Sequence, residues 1–184
     1  MTDQVTTDKT DSQLLRETKE GSLTSFETLV KRYEGKLLSF AYKILKDEDA
    51  AHDVVQETFI RVYNHINSFD FSKNFSPWAY KIARNLSLDS IRKGHHTAIL
   101  DWDIEDTHES VITKIIKSEQ VAALWNAIKM LPEMYKTPLV GFYFSDLSIG
   151  ELAYTMNMSE NTIKTRLRRA KGYLKTELGR KGYG

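Results

Sequence analysis

Cysteine is absent from this chain. That removes a disulfide framework and a thiolate zinc site, and makes a reducing cytoplasm the easy fit. Only 3 prolines and 9 glycines are present, and alternating β-branched runs are few, so the composition favours an all-helical protein. No apolar run approaches the roughly 20 residues of a membrane span. The opening stretch MTDQVTTDKTDSQ is polar and lacks the apolar core of a signal peptide, so no direct membrane insertion is expected. Also missing are a Gly-rich phosphate loop, a nucleophile–base pairing and a carboxylate pair with acid–base logic. These absences argue against an enzyme, and no cofactor is implied.

The 184 residues suffice for one ordinary domain or two small ones. The net charge of +1 hides an uneven distribution. Residues 159–184 hold eight Lys or Arg against two Glu, whereas residues 47–57 and 101–109 each hold five acids and no Lys or Arg. Such polarity suggests one surface for nucleic acid and another for a basic protein partner.

The most informative stretch is 147–174, LSIGELAYTMNMSENTIKTRLRRAKGYL. Ile149, Leu152, Ala153 and Met156 recur with helical spacing and define one apolar face. Asn157 interrupts the pattern and tolerates the left-handed backbone of a tight turn. Ser159 is a good N-cap, and Glu160 suits the positive end of a new helix. In that helix Ile163, Leu167, Ala170 and Leu174 face inward, while Asn161, Thr162, Lys164, Thr165, Arg166, Arg168 and Arg169 face outward. Small polar donors ahead of Arg and Lys are what a major-groove reader requires. A basic, solvated terminal helix is the plainer alternative.

Ahead of this stretch, residues 1–10 read as disordered. Leu14, Leu15, Leu23, Phe26, Leu29 and Val30 then mark a helical region to about Tyr33, broken at Gly21-Ser22. A second helix, about 36–45, carries Leu37, Phe40, Ala41, Ile44 and Leu45. In residues 47–69, Val54, Val55, Phe59, Val62 and Ile66 form a buried stripe, with Asp53, Gln56 and Glu57 on another face. Those acids either match the helix dipole as solvated charges or form a docking face. The loop at 67–76 contains Phe69, Phe71 and Phe75, which either anchor it to the core or cradle an unstacked base.

In SPWAYKIARNLSLDSIRKG, Ser76 suits an N-cap, Pro77 the first helical residue and Gly94 the stop. Trp78, Ile82 and Leu86, then Ser90 or Ile91, run along one face. Tyr80, Lys81, Arg84, Asn85, Asp89, Arg92 and Lys93 project elsewhere, offering phosphate contacts and stacking groups. Residues 95–118 lack a period until about Val111 and read as an acidic, flexible linker. Its His95, His96, Asp101, Asp103 and His108 lack helical metal-ligand spacing, so no metal is expected. A second domain starts near Ser118, with Val121, Ala122, Leu124, Trp125 and Ile128 as its first stripe.

Taken together, DVVQETFIRVY, FSPWAYKIARNLSLDSIRK, LPEMYKTPLVGFYFSDLSIGELA and MSENTIKTRLRRAKGYL resemble the extracytoplasmic-function (ECF) sigma factors in order and spacing. The resemblance covers much of both domains. It implies an all-α fold of two small helical domains, 11–94 and 119–178, joined by the 95–118 linker and followed by a 179–184 tail. The second contains the helix-turn-helix.

It further implies a cytoplasmic transcription initiation factor whose partners are core RNA polymerase (its β′ clamp helices and β flap), promoter DNA and an anti-sigma factor, which can be membrane-bound. Asp53, Gln56 and Glu57 match the polymerase-binding motif. The −10 element, as single-stranded DNA, falls to Trp78, Lys81, Arg84, Asn85, Asp89 and Arg92 with the Phe69, Phe71 and Phe75 loop. The −35 duplex falls to Ser159, Asn161, Thr162, Lys164, Thr165, Arg166, Arg168, Arg169 and Lys171. Pro138 departs from the family's usual helix, Asn157 replaces its common turn Gly, and Asn161 replaces the Gly before Thr. A free-standing helix-turn-helix regulator is the other reading; it has no need of the 47–57 acids or the 78–93 helix. An enzyme carrying a DNA-binding domain is disfavoured by the missing site.

Overall fold

The computed structural model describes residues 9–93, 119–145, 147–180 and 182. Among them the first domain holds α1 (Asp11–Lys19), α2 (Leu23–Leu45), α3 (Glu48–His65) and α4 (Phe75–Arg92). The second holds α5 (Glu119–Met130), α6 (Glu133–Phe144), α7 (Ile149–Met156) and α8 (Glu160–Arg180). The described residues contain helices and no strand, as the composition implies.

Local chemistry sets most helix starts. Thr10 and Gln13 form a capping box on α1, and Asp47 accepts from the Ala50 N–H at 2.9 Å to start α3. Gly21, at φ +100°, makes the turn between α1 and α2 that the Gly21-Ser22 break predicts. The expected second break, before residue 36, is not there: α2 runs unbroken through Gly35. A helical glycine costs about 1 kcal/mol against alanine. Leu29, Tyr33, Leu37, Phe40, Ala41 and Ile44 stay in register on one buried face, which outweighs that loss.

α4 also departs from expectation. It starts at Phe75 with Asn74 in the N-cap position, so Pro77 is the third helical residue rather than the first. The first turn's N–H groups have no intrahelical acceptor, so the missing donor does no harm there. Its fully buried line is Ala79, Tyr80, Ala83 and Ser87, while Trp78, Ile82, Leu86 and Ile91 are only partly buried. Tyr80, expected to project outward, is 1% exposed and meets Phe40 of α2 edge to face at 5.0 Å.

In the second domain α6 and α7 both pack against α8. Pro138 lies inside α6 and removes the bond that would reach the Met134 carbonyl; Arg166 Nη1 of α8 donates to that carbonyl instead, at 3.4 Å. Gly141 has a packing reason: a Cβ there would lie 2.6 Å from Leu152 Cδ2, so its absence lets α7 approach α6. The two helical domains do not keep separate cores: α7 packs on α4, α6 packs on α2, and the buried apolar residues form one continuous cluster through both domains. The 95–118 segment, Gly94 and the histidine–aspartate group lie outside the described residues. No helix among the described residues is long and apolar enough to cross a membrane.

Candidate nucleic-acid interface

The turn between α7 and α8 follows from its residues. Ser148 and Glu151 form a capping box on α7, an S-x-x-E pattern legible in the sequence but not read there. Asn157 ends α7 at φ 52°, ψ 52°, the left-handed conformation its side chain tolerates. Ser159 accepts from the Thr162 N–H at 3.2 Å, as expected of the N-cap of α8. Ile163, Leu167 and Ala170 are buried and Leu174 partly so, which fixes the direction of the opposite face. Asn161, Thr162, Lys164, Arg168, Arg169 and Lys171 are exposed; Thr165 and Arg166 are half-buried. Lys164 pairs with Glu160 at 3.5 Å in solvent, and Lys171 lies over the Tyr143 ring at 5.5 Å. This face presents small donors first and cations behind them, and both Arg166 and Lys171 reach the neighbouring α6.

The second basic helix is placed differently. On α4, Asn85, Asp89 and Arg92 are exposed, and Asp89 pairs with Arg92 at 3.3 Å. Lys81 and Arg84 are half-buried. Lys81 Nζ sits 4.5 Å over the ring of Tyr154, on α7. Arg84 Nη1 donates to Asn85 Oδ1 at 3.2 Å, while its Nε is buried without a hydrogen-bond partner among the described residues. Burial, followed by the charges of Arg166 and Arg92, holds the Arg84 guanidinium below its ordinary value. Arg166 thus stands near Arg84, bringing charges of the two basic helices together.

The loop phenylalanines divide. Phe75 is 3% exposed and meets Tyr33 edge to face at 4.9 Å; Phe69 is 8% exposed and stacks at 4.6 Å on Trp78, itself half-buried. These two anchor the loop, so an open cradle built from all three phenylalanines is not what the fold presents. Phe71 is half-exposed, 5.3 Å from Phe69, with the cations of Arg16 and Lys19 over its ring at 4.9 and 5.2 Å.

A third face is acidic. Asp53 and Gln56 are exposed on α3, and Glu57 is half-buried and pairs with Arg61 at 2.7 Å. The opposite side of α3, with Val54, Val55, Thr58, Phe59 and Val62, is buried. Ile60, one turn beyond Gln56, is 53% exposed and Tyr63 43%, so apolar surface adjoins the acids. Among the described residues, no group of three or more His, Cys, Asp or Glu could hold a metal ion.

Two family models match the chain: Sigma-70 region 2 over residues 29–97 and Sigma-70, region 4 over residues 122–174. The ECF RNA polymerase sigma factor SigW of Bacillus subtilis (strain 168) is 32% identical over 176 residues, which is 89% of this chain and 94% of that protein. SigM of the same organism is 31% identical over 153 residues, 82% of this chain and 93% of its own length. In fold, the chain is similar to the sigma factor RpoE solved in complex with the anti-sigma factor NepR from Bartonella quintana. That likeness has a TM-score of 0.70 at 22% identity and covers 85% of this chain and 98% of that one.

Proposed function

Because the chain belongs to the ECF RNA polymerase sigma factors, we propose that it binds core polymerase and directs initiation by holding −10 DNA single-stranded and reading −35 DNA as duplex. The family consists of transcription factors, not enzymes, and the polymerase supplies the chemistry. The observation that carries this reading is the orientation of α8. Its buried Ile163, Leu167 and Ala170 leave the N-terminal donors Asn161 and Thr162 exposed, with Lys164 and Arg168 beside them. A helix presented this way enters a major groove N-terminus first.

The remaining roles follow from placement. Asp53, Gln56 and Glu57 of α3 dock on the β′ clamp helices, and the second domain meets the β flap. On α4, Asn85 reads an unstacked −10 base beside Phe71, while Arg84 and Arg92 meet phosphates and Lys81 joins them. Trp78, Phe69 and Phe75 stiffen that site from beneath. On α8, Asn161, Thr165 or Arg168 contacts base edges, and Arg169 and Lys171 contact phosphate with Ser159 and Thr162 at the groove edge. An anti-sigma factor is a further partner of this reading; the Bartonella fold neighbour carries one.

The test is reconstitution with core polymerase. Asp53→Lys with Glu57→Lys should weaken core binding about tenfold or more, with the thermal transition moved by only a few degrees. Unchanged core affinity would sink the docking face. A protein that binds promoter duplex yet never associates with polymerase would instead be a free-standing regulator.

A further inference from the structure

The helix α1 lies beside the loop that leads into α4, packed on the 3-10 turn Ile66–Ser68 at the loop's start. Leu14, Leu15 and Thr18 bury one side of α1. Arg16 and Lys19 are both exposed, and their spacing puts them on one helical face. Both reach across to the loop and stand over the same partly buried ring. The Arg16 guanidinium lies 4.9 Å and the Lys19 ammonium 5.2 Å from the centre of Phe71.

The acids around these two cations are committed elsewhere. Glu17 accepts from Lys9 Nζ at 2.6 Å and from the Ser25 hydroxyl. Asp11 accepts from Arg32 and from the Tyr33 hydroxyl, both on α2. In the loop, Asp70 closes its own turn: its side chain accepts from the Ser72 N–H at 3.0 Å and its carbonyl from the Lys73 N–H at 2.9 Å. That turn carries Phe71, and Lys73 adds a third exposed cation to it. Among the described residues neither Arg16 nor Lys19 is in an ion pair. The acids of α1 thus face its own domain, while its cations face the loop.

Two like charges over one ring repel each other, and a cation held only by the face of a part-exposed ring is weakly held. A phosphate between them relieves the repulsion, and a nucleobase takes the ring face they give up. An aromatic face flanked by cations is the unit from which single-strand sites are built. The ring is also joined to α4: Phe71 is 5.3 Å from Phe69, which stacks on Trp78 at 4.6 Å. One aromatic row therefore connects the cations of α1 to the helix that carries Lys81, Arg84 and Asn85.

We propose that Arg16 and Lys19 form a second wall of the single-strand site, holding the phosphates on either side of the base that lies against Phe71. The proposal rests on the assignment of α4 and its loop to −10 DNA.

The test is binding of a −10 single-stranded oligonucleotide by the chain assembled with core polymerase, followed against salt. Each phosphate contact to a single strand contributes about 0.7 to the slope of log affinity against log salt. Arg16→Gln with Lys19→Gln should lower that slope by about 1.4 and weaken binding about tenfold at low salt. The slope for −35 duplex should stay where it is. Arg16→Lys with Lys19→Arg keeps both charges and should restore the single-strand slope, which a general loss of folding would not allow. Phe71→Leu should weaken the same oligonucleotide severalfold with its slope unchanged, and an abasic site at one position of the oligonucleotide should abolish the difference between Phe71→Leu and the native chain. An unchanged slope in the double Gln variant overturns the α1 wall; if Arg84→Ala still lowers the slope, the −10 assignment stands. If neither change moves it, both fall. A double Gln variant that loses thermal stability but keeps its oligonucleotide affinity and slope shows that the cations only shield the ring, and overturns the proposal as well.

Discussion

The two basic helices, α4 and α8, are made alike and placed differently. Each buries one apolar line and carries Arg, Lys and Asn on the rest. On α8, Asn161, Lys164 and Arg168 are exposed, Lys164 pairing only loosely with Glu160 of the same helix. On α4, Lys81 is under an aromatic ring of the other domain and Arg84 is half-buried beside a like charge. The difference suits the two tasks proposed for these helices. A duplex reader meets bases whose edges are already displayed in the groove, so it can be presented rigid and bare. A single-strand reader competes with base stacking and works with aromatic faces on which an unstacked base can lie.

The comparison is broken most severely at Phe75. Its ring is buried between Tyr33 and Trp78, and Phe75→Ala should cost about 3–5 kcal/mol of stability in chemical denaturation. A base cradle at this position would leave stability unchanged and impair only promoter opening. For α8, replacing Asn161, Thr165 or Arg168 singly should shift the sequence selected from a randomised −35 box for at least one of them, by about 1–3 kcal/mol per wrong base. For α4, Asn85→Ala should impair opening more than initial duplex binding. Arg84→Ala should weaken binding to all sequences alike and lower the salt slope by about 1. If substitutions on the two helices gave the same phenotype, the division between duplex and single-strand reading would fail.

A further effect concerns the packing of α6 on α2. Burial first, then Lys136, Lys129 and Lys43, brings the Lys46 ammonium from 10.5 down to about 7. The folded chain therefore holds fewer protons than the unfolded chain between those values. Stability rises with pH through that window, the whole penalty being felt at about pH 7 and below, where the curve is level. Lys46→Met should flatten the rise, read as Tm against pH from 6 to 10; an unchanged slope would place the titration elsewhere.

Much of this was legible along the chain. The cap at Ser159, the left-handed Asn157 and the stripe Ile163, Leu167, Ala170 are local facts, decided within one or two helical turns, and they orient α8 without reference to any other element. The acidic face of α3 was legible in the same way, since its buried stripe sets the opposite direction. Where local pattern left two answers, a distant neighbour chose. Trp78 and Tyr80 are both aromatic and lie on different sides of α4; Phe40 of α2 receives the Tyr80 ring, so Tyr80 is the buried one. The break expected between Tyr33 and residue 36 is overridden by the continuous stripe of α2. Pro138 departs from the usual helix, and Arg166, brought there by α8, answers the carbonyl it frees; Gly141 finds its reason in Leu152, brought there by α7.

The sequence by itself determined the helical class, the two basic helices and the acidic face, because helical periodicity, caps and charge runs are written in residues a few positions apart. Only the tertiary structure decided that Phe69 and Phe75 are anchors, that Arg166 answers a carbonyl freed by Pro138, and that α7 lies on α4. Those outcomes depend on pairs such as Pro77 and Thr155, separated by most of a domain and joined by a single hydrogen bond. No local pattern encodes such a pair; it exists only once both faces have been formed and brought together.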